Sequence, residues 1–403
     1  MRTTRRVVIA GASMGGLRAA ERLRAAGFTG EIVAIGDEPH LPYNRPPLSK
    51  EALATEVTHD ALAFRLRPAV ADVTWRLGVR VVGADLDARA VWLGDGAELT
   101  CDGLVIATGM RPRRLPGPAA GRHVVRTLED ARDLRAELRP GVNVLVVGAG
   151  FIGCEVAATA RTLGASVTVV APEDAPMRRP LGYELGTALR RRHEERGVTF
   201  LLGRTIAAFL GEIGEMGENR VTGAALSDGT RLDADVVVEA VGSVANTEWL
   251  DGNGLDLSDG VLCDGALRVE GRHGVVAVGD IARFPNPRYD GVPRRVEHWS
   301  IPTDTAKHAA LTLLADLGLG EGIATPFAPL PTFWSDQYEL RLQSFGAPAL
   351  GESDIRVLEG DLGGEVVVGY HRDGELVGVV LIGMPSAAAR YRAALLNRTP
   401  LAA

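Results

Sequence analysis

The sequence predicts an α/β protein built from two copies of a strand, glycine turn, helix, strand unit, followed by a strand-rich C-terminal segment. Three observations carry this expectation. An apolar run over Arg6–Ala10 ends at Gly11, passes through Ser13, Met14, Gly15 and Gly16, and continues into a helical stretch over 17–26 and an apolar run over 31–35. The same order returns as a strand over Asn143–Val147, the turn Gly148-Ala149-Gly150-Phe151-Ile152-Gly153, a helix over 154–163 and a strand over 166–170. Beyond Gly320, prolines at 326, 329 and 331 mark a new domain start, and alternating runs over 365–370 and Glu375–Ile382 flank the turn Asp373-Gly374.

Each copy has the physical logic of a Rossmann-like dinucleotide-binding domain. The first glycine, Gly11 or Gly148, permits a tight turn, and a small residue two positions on lets the backbone approach a pyrophosphate. The third, Gly16 or Gly153, allows close helix–strand packing, while the helix N-terminus offers N–H groups and positive potential. In the first copy Ser13 stands where the pattern has a glycine, and Asp37 or Glu38 ends the second strand in position to hydrogen-bond a ribose. The second copy fits G-x-G-x-x-G fully. Two dinucleotides in one chain imply hydride or electron traffic between them.

Composition narrows the class. At 403 residues, two or three domains are expected, and 46% hydrophobic with 24% charged residues is the make-up of a globular protein. A net charge of −7 argues against nucleic-acid binding. Cys101, Cys154 and Cys263 form no C-x-x-C pair, so neither a disulfide framework nor a dithiol centre is expected, and no metal site is read. Arg2, Arg5 and Arg6 precede an apolar run that Gly11, Gly15, Gly16 and Arg18 interrupt, so no signal-peptide core follows. The run over 145–160 contains Glu155 and is too short to span a bilayer. A cytoplasmic protein without a membrane segment is expected. Lys50 and Lys307 are the lysines among 44 basic residues, which singles out Lys50 inside a motif.

That motif is Leu41-Pro42-Tyr43-Asn44-Arg45-Pro46-Pro47-Leu48-Ser49-Lys50. With Ala107-Thr108-Gly109, the second fingerprint and its Glu155, Ala277-Val278-Gly279-Asp280, and Phe333-Trp334-Ser335-Asp336-Gln337-Tyr338, the chain resembles the FAD-dependent ferredoxin reductase family along essentially its whole length. The resemblance implies a glutathione-reductase-like fold: an FAD domain in two parts, 1–110 and 242–319, an NAD(P) domain over 111–241, and a small α+β C-terminal domain over 320–403.

It also implies site residues. FAD falls to Gly11, Ser13, Met14, Gly15 and Gly16, with Asp37, Glu38 and Val82 on the nucleotide side. Arg45, Lys50, Ala107, Thr108, Gly109 and Arg126 follow, then Gly279, Asp280, Glu297, His298 and Trp299. Lys50 would sit near flavin N5, where a cation favours reduced flavin, and would pair with Glu155. Glu155 would also meet the nicotinamide amide, with Phe151 and Ile152 between nicotinamide and flavin. The NAD(P) site takes in Gly148, Gly150, Gly153, Val241 and Gly242. Trp334 would stand on the electron exit route, with Asp336, Gln337 and Tyr338 shaping its wall.

For the choice of dinucleotide, Ala171 occupies the end of the second strand where family members carry an acid. Glu173 nearby suits the ribose 2′-OH of NADH, whereas Arg178 and Arg179 suit the 2′-phosphate of NADPH; NADH is the expected cofactor and NADPH the alternative. The implied activity is hydride transfer to FAD followed by single-electron delivery to an iron–sulfur ferredoxin, serving a mono- or dioxygenase. Arg283, Arg288, Arg294, Arg295 and Arg341 are candidates for docking an acidic ferredoxin. Rubredoxin as acceptor, an NADH oxidase, and an NADH-sensing flavoprotein similar to apoptosis-inducing factor are the other readings. Monomer and homodimer both remain open.

Overall fold

The computed structural model describes residues 5–213 and 219–397. The chain divides into two compact units. The first takes in the chain up to Asn44, His59–Arg111 and Val244–Pro331; the second takes in Arg45–Thr58, Pro112–Ser243 and the chain from Thr332 on.

The first unit is organised by a five-stranded parallel sheet in the order Val275–Ala277, Gly103–Ile106, Arg6–Ala10, Glu31–Gly36, Thr74–Leu77. Its inner strands are continuous apolar runs because both faces are covered, as a parallel sheet requires. Val7, Ile9, Ile32, Ile106 and Val276 are buried in one core with Leu17 and Leu23 of the helix Met14–Ala25 and Leu313 of the helix Ile301–Asp316. The first nucleotide helix begins three residues earlier than the apolar pattern suggests, immediately after Ser13. Met14 and Gly15 are poor indicators of a helix start, so periodicity finds only its interior.

The second unit repeats the arrangement. Its parallel sheet runs Val198–Leu202, Ser166–Ala171, Asn143–Val147, Val236–Glu239, Arg122–His123. The turn Pro46–Ser49 and the short helix Glu51–Ala54 lie against the helix Phe151–Thr162, which follows the second glycine turn. A five-stranded antiparallel sheet completes this unit in the order Thr332–Gln337, Leu340–Gly346, Glu375–Ile382, Val366–Arg372, Ile355–Gly360. Asp373 and Gly374 both take positive φ, 54° and 82°, the conformation a tight hairpin between right-twisted strands needs.

The antiparallel sheet shares a core with the nucleotide-type fold. Phe333, Leu342, Val368, Tyr370 and Ile382 pack with Cys154, Leu181, Leu185 and Leu189. The helix Arg178–Glu194 breaks at Gly182, where φ is +80°. The Tyr370 hydroxyl donates to the Leu181 carbonyl there at 2.7 Å. No helix among the described residues is long and apolar enough to cross a membrane.

Candidate functional site

The first glycine turn is built by backbone contact. A Cβ on Gly11 would lie 2.0 Å from the Ala107 carbonyl oxygen, and one on Gly16 would lie 2.0 Å from that of Gly11. No side chain caps the helix Met14–Ala25 at Ser13, so its first N–H groups and their positive potential face the turn. Gly15 and Gly279 both approach Pro302, which brings Gly279-Asp280 to the same end of the sheet. Thr108 holds the neighbouring chain: its Oγ1 donates to the Asn246 carbonyl at 2.8 Å, and Asn246 Nδ2 donates back to the Thr108 carbonyl at 2.9 Å.

At the end of the second strand Glu38 accepts from the Tyr43 hydroxyl at 2.6 Å, while exposed Asp37 lies 3.5 Å from Arg80. Val82, two residues beyond Arg80, leaves 52% of its surface exposed. Around His298 and Trp299 the Phe64 and Trp299 rings lie 6.1 Å apart, and burial lowers His298 to about 4. Glu297 is tied to Arg295 at 2.8 Å. Uncapped helix N-terminus, two glycine approaches, a ribose-type acid pair and an uncovered apolar side chain together fit an adenine dinucleotide such as FAD.

The second cradle matches the first. A Cβ on Gly148 would lie 2.3 Å from the Ala240 carbonyl oxygen, beside Val241 and Gly242, and one on Gly153 would lie 2.1 Å from that of Gly148. Gly150, by contrast, faces open space and caps the helix Phe151–Thr162 without a side-chain contact. Ile152, in the first helical turn, is 41% exposed, while Phe151 turns inward with its ring centroid 4.7 Å from that of Phe333. A dinucleotide pyrophosphate fits the open side at Gly150. Beyond Ala171, Arg178 is bound to Asp174 at 3.2 Å and also to Glu352, Arg179 is exposed, and Glu173 is half-buried.

One turn into that helix lies a buried polar cluster. Glu155 is 5% exposed, and its Oε2 receives Lys50 Nζ at 2.6 Å and Ser49 Oγ at 2.5 Å. Its Oε1 receives Ser335 Oγ at 2.7 Å. Lys50 also donates to the Pro46 carbonyl at 3.0 Å. The buried charge is therefore paired and its oxygens are occupied, as burial of a carboxylate demands. Arg45 donates to the Arg126 backbone carbonyl at 2.5 Å, in the same unit. On the strand Thr332–Gln337 the period of two places Phe333, Ser335 and Gln337 on the buried face, with Trp334 and Asp336 on the other.

Ser49 and Ser335 are hydrogen-bond partners of Glu155 that the sequence does not single out. Alternation along 332–337 separates the two faces, but nothing in it tells which face meets Glu155.

The three cysteines are free and buried. Burial raises the Cys154 thiol to about 12 and pushes Cys263 up as well.

A family model described as pyridine nucleotide-disulphide oxidoreductase matches residues 5–305. The chain belongs to the pyridine nucleotide-disulphide oxidoreductase family. Members bind FAD and NAD(P), in keeping with the two cradles. A second model, the reductase C-terminal domain, matches residues 332–403. The chain is 36% identical to a probable ferredoxin reductase of Castellaniella defragrans, covering 100% of this chain and 96% of that relative. It is 38% identical to the ferredoxin–NAD(+) reductase component of a p-cumate 2,3-dioxygenase system of Pseudomonas putida, covering 94% and 90%. Among solved structures, the putidaredoxin reductase in a covalent complex with putidaredoxin aligns with a TM-score of 0.90 at 31% identity, covering 100% of this chain and 95% of that one.

Proposed function

We propose that this protein is an NADH-dependent ferredoxin reductase that passes electrons singly to a small iron–sulfur ferredoxin serving an oxygenase. The observation that carries the reading is the pairing of two dinucleotide cradles in a chain whose thiols are all buried, so no dithiol relays electrons. Relatives named as ferredoxin reductases, one of them captured in a complex with putidaredoxin, supply the acceptor class. FAD held in the first cradle would supply the conversion between a two-electron donor and a one-electron acceptor.

The chain's own groups bind and orient. Gly11 to Gly16, Asp37, Glu38, Val82, Thr108, Gly279 and Asp280 hold FAD. Gly148, Gly150, Ile152 and Gly153 hold the pyrophosphate side of NADH, and Glu155 takes the nicotinamide carboxamide. Lys50 brings the positive charge that favours an anionic reduced flavin, and the Glu155 carboxylate fixes where that charge stands. Trp334 lies on the electron exit route. NADH is the preferred reading because Glu173, half-buried beyond Ala171, suits a ribose 2′-OH, and Arg178, already bound to Asp174 and Glu352, is committed, which of the two arginines leaves exposed Arg179 as the candidate for a 2′-phosphate.

The test is direct. The purified protein is expected to show a flavin spectrum and to reduce a ferredoxin with NADH at least about tenfold more efficiently than with NADPH, a difference of roughly 1.4 kcal/mol. Rubredoxin reduction and oxygen consumption are measured beside it. A colourless protein that FAD does not reconstitute overturns the reading, and so does oxygen consumption that outruns every iron–sulfur acceptor.

A further inference from the structure

The Glu155 cluster does not end at Ser335. Gln337 Nε2 donates to Ser335 Oγ at 3.0 Å, and Gln337 Oε1 meets His193 Nε2 at 2.8 Å. Ser335, Gln337 and His193 are 0%, 3% and 1% exposed, so these contacts are shielded from bulk solvent. The polarity of the whole chain follows from one fact about its end. A carboxylate has no proton to give. Ser335, 2.7 Å from Glu155 Oε1, must therefore spend its single proton there. Its second contact must be one it accepts, so the amide nitrogen of Gln337 faces Ser335 and the amide oxygen faces His193. His193 Nε2 then carries a proton. Burial lowers the affinity of His193 for a second proton, so the imidazole is neutral and its Nδ1 is left without a partner. Four side chains from three elements are locked into one orientation, every donor pointing toward Glu155.

We propose that Ser335 and Gln337, oriented by His193, are positioning residues that preset the Glu155 carboxylate for the nicotinamide. The proposal rests on the reading that Glu155 meets the dinucleotide. Lys50 and Ser49 hold only Oε2; without Ser335 the other oxygen loses its donor and the carboxylate plane is free to turn about the Lys50 contact. The rigid carboxylate costs the dinucleotide less ordering on binding, which is how preorganisation raises affinity.

The experiment is an equilibrium titration of the FAD-loaded protein with NAD+, read by isothermal calorimetry, across a double-mutant cycle. Ser335→Ala removes the last donor. Gln337→Glu keeps size but replaces the amide donor by an acceptor, so the Ser335 proton swings to residue 337 and leaves Glu155. Each is expected to weaken NAD+ about tenfold, the scale of a lost hydrogen bond to a charged group. In a Glu155→Gln background the same changes shift Kd by less than about twofold, because their route is already cut. Equal losses in both backgrounds overturn the proposal, since a merely structural role is indifferent to residue 155. Wild-type affinity in both Ser335→Ala and Gln337→Glu also overturns it. If Glu155→Gln alone leaves NAD+ binding unchanged, the role of Glu155 itself falls. Weakening by Glu155→Gln without weakening by the other two removes only the positioning chain. Ser335→Ala alone decides the matter should Gln337→Glu not fold.

Discussion

Lys50 and Glu155 form the buried ion pair to which the proposed function assigns the reductive chemistry, and their energetics are lopsided. Glu155 is nearly buried and Lys50 has 15% of its side chain exposed, so losing the lysine leaves a buried carboxylate to Ser49 and Ser335 alone. Removing one partner of a buried pair costs about 3–5 kcal/mol, and the two serine donors hold the loss to the lower end. Lys50→Met is therefore expected to lower the melting temperature and to slow flavin reduction by NADH at least tenfold, a barrier increase of about 1.4 kcal/mol or more. Adding Glu155→Gln to Lys50→Met recovers stability without recovering the rate. A stopped-flow rate unchanged in Lys50→Met sinks the assignment of Lys50.

His193 gives a second prediction at this scale, in pH. Burial lowers its value below 6.5 in the folded protein, opposed by the hydrogen bond with Gln337 and reinforced by the nearby charge of Arg196. The unfolded chain takes up a proton near pH 6.5 while the folded one does not, so His193 contributes no penalty above 6.5 and destabilises the fold as pH falls below it. A depressed histidine forfeits up to about 1.4 kcal/mol per pH unit. His193→Gln, whose amide donates to Gln337 without titrating, is expected to flatten the fall in urea-unfolding stability between pH 7.5 and 5.5. Identical slopes for the two proteins count against a neutral His193.

Among elements, the two glycine turns were the most legible part of the sequence. Strands Arg6–Ala10, Asn143–Val147 and Glu375–Ile382 stand where apolar periodicity puts them, because buried parallel strands and a period-two hairpin leave strong local signals. Helix starts at Met14 and Phe151 were not legible, since a glycine turn carries no periodicity. The break at Gly182 was invisible for a different reason: the Tyr370 contact that stabilises it comes from a distant strand. The turns also separate the two cofactors experimentally. A methyl group on Gly153 would sit 2.1 Å from the Gly148 oxygen, and one on Gly16 would sit 2.0 Å from the Gly11 oxygen. Gly153→Ala is expected to abolish detectable NAD+ binding while the purified protein stays yellow, and Gly16→Ala to yield protein without flavin. Flavin absorbance and NAD+ titration check both, and FAD retained in full by Gly16→Ala would remove the first cradle as its site.

For the molecule as a whole, the charge of −7 sets how it meets an acidic partner. Arg283, Arg294, Arg295 and Arg341, four of the arginines that the sequence suggests for docking beside Arg288, are already engaged. Arg283 is bound to Asp256, Arg294 to Asp290 at 2.6 Å, Arg295 to Asp259 at 2.6 Å and Glu297 at 2.8 Å, and Arg341 faces Asp336 at 4.0 Å. A count of arginines along a sequence reads charge but not pairing, and paired charges cancel in the field that a ferredoxin senses at a distance. Steering toward these arginines is consequently shallow, and uncovering one of them strengthens it. Asp290→Asn frees Arg294 and adds one net positive charge. It is expected to raise the association rate with an acidic ferredoxin about twofold at low salt, with the gain vanishing near 0.5 M salt where the screening length falls to about 4 Å. NADH-driven ferricyanide reduction, which needs no docking, stays at the wild-type rate. A ferredoxin rate that does not change at low salt places the docking surface away from Arg294.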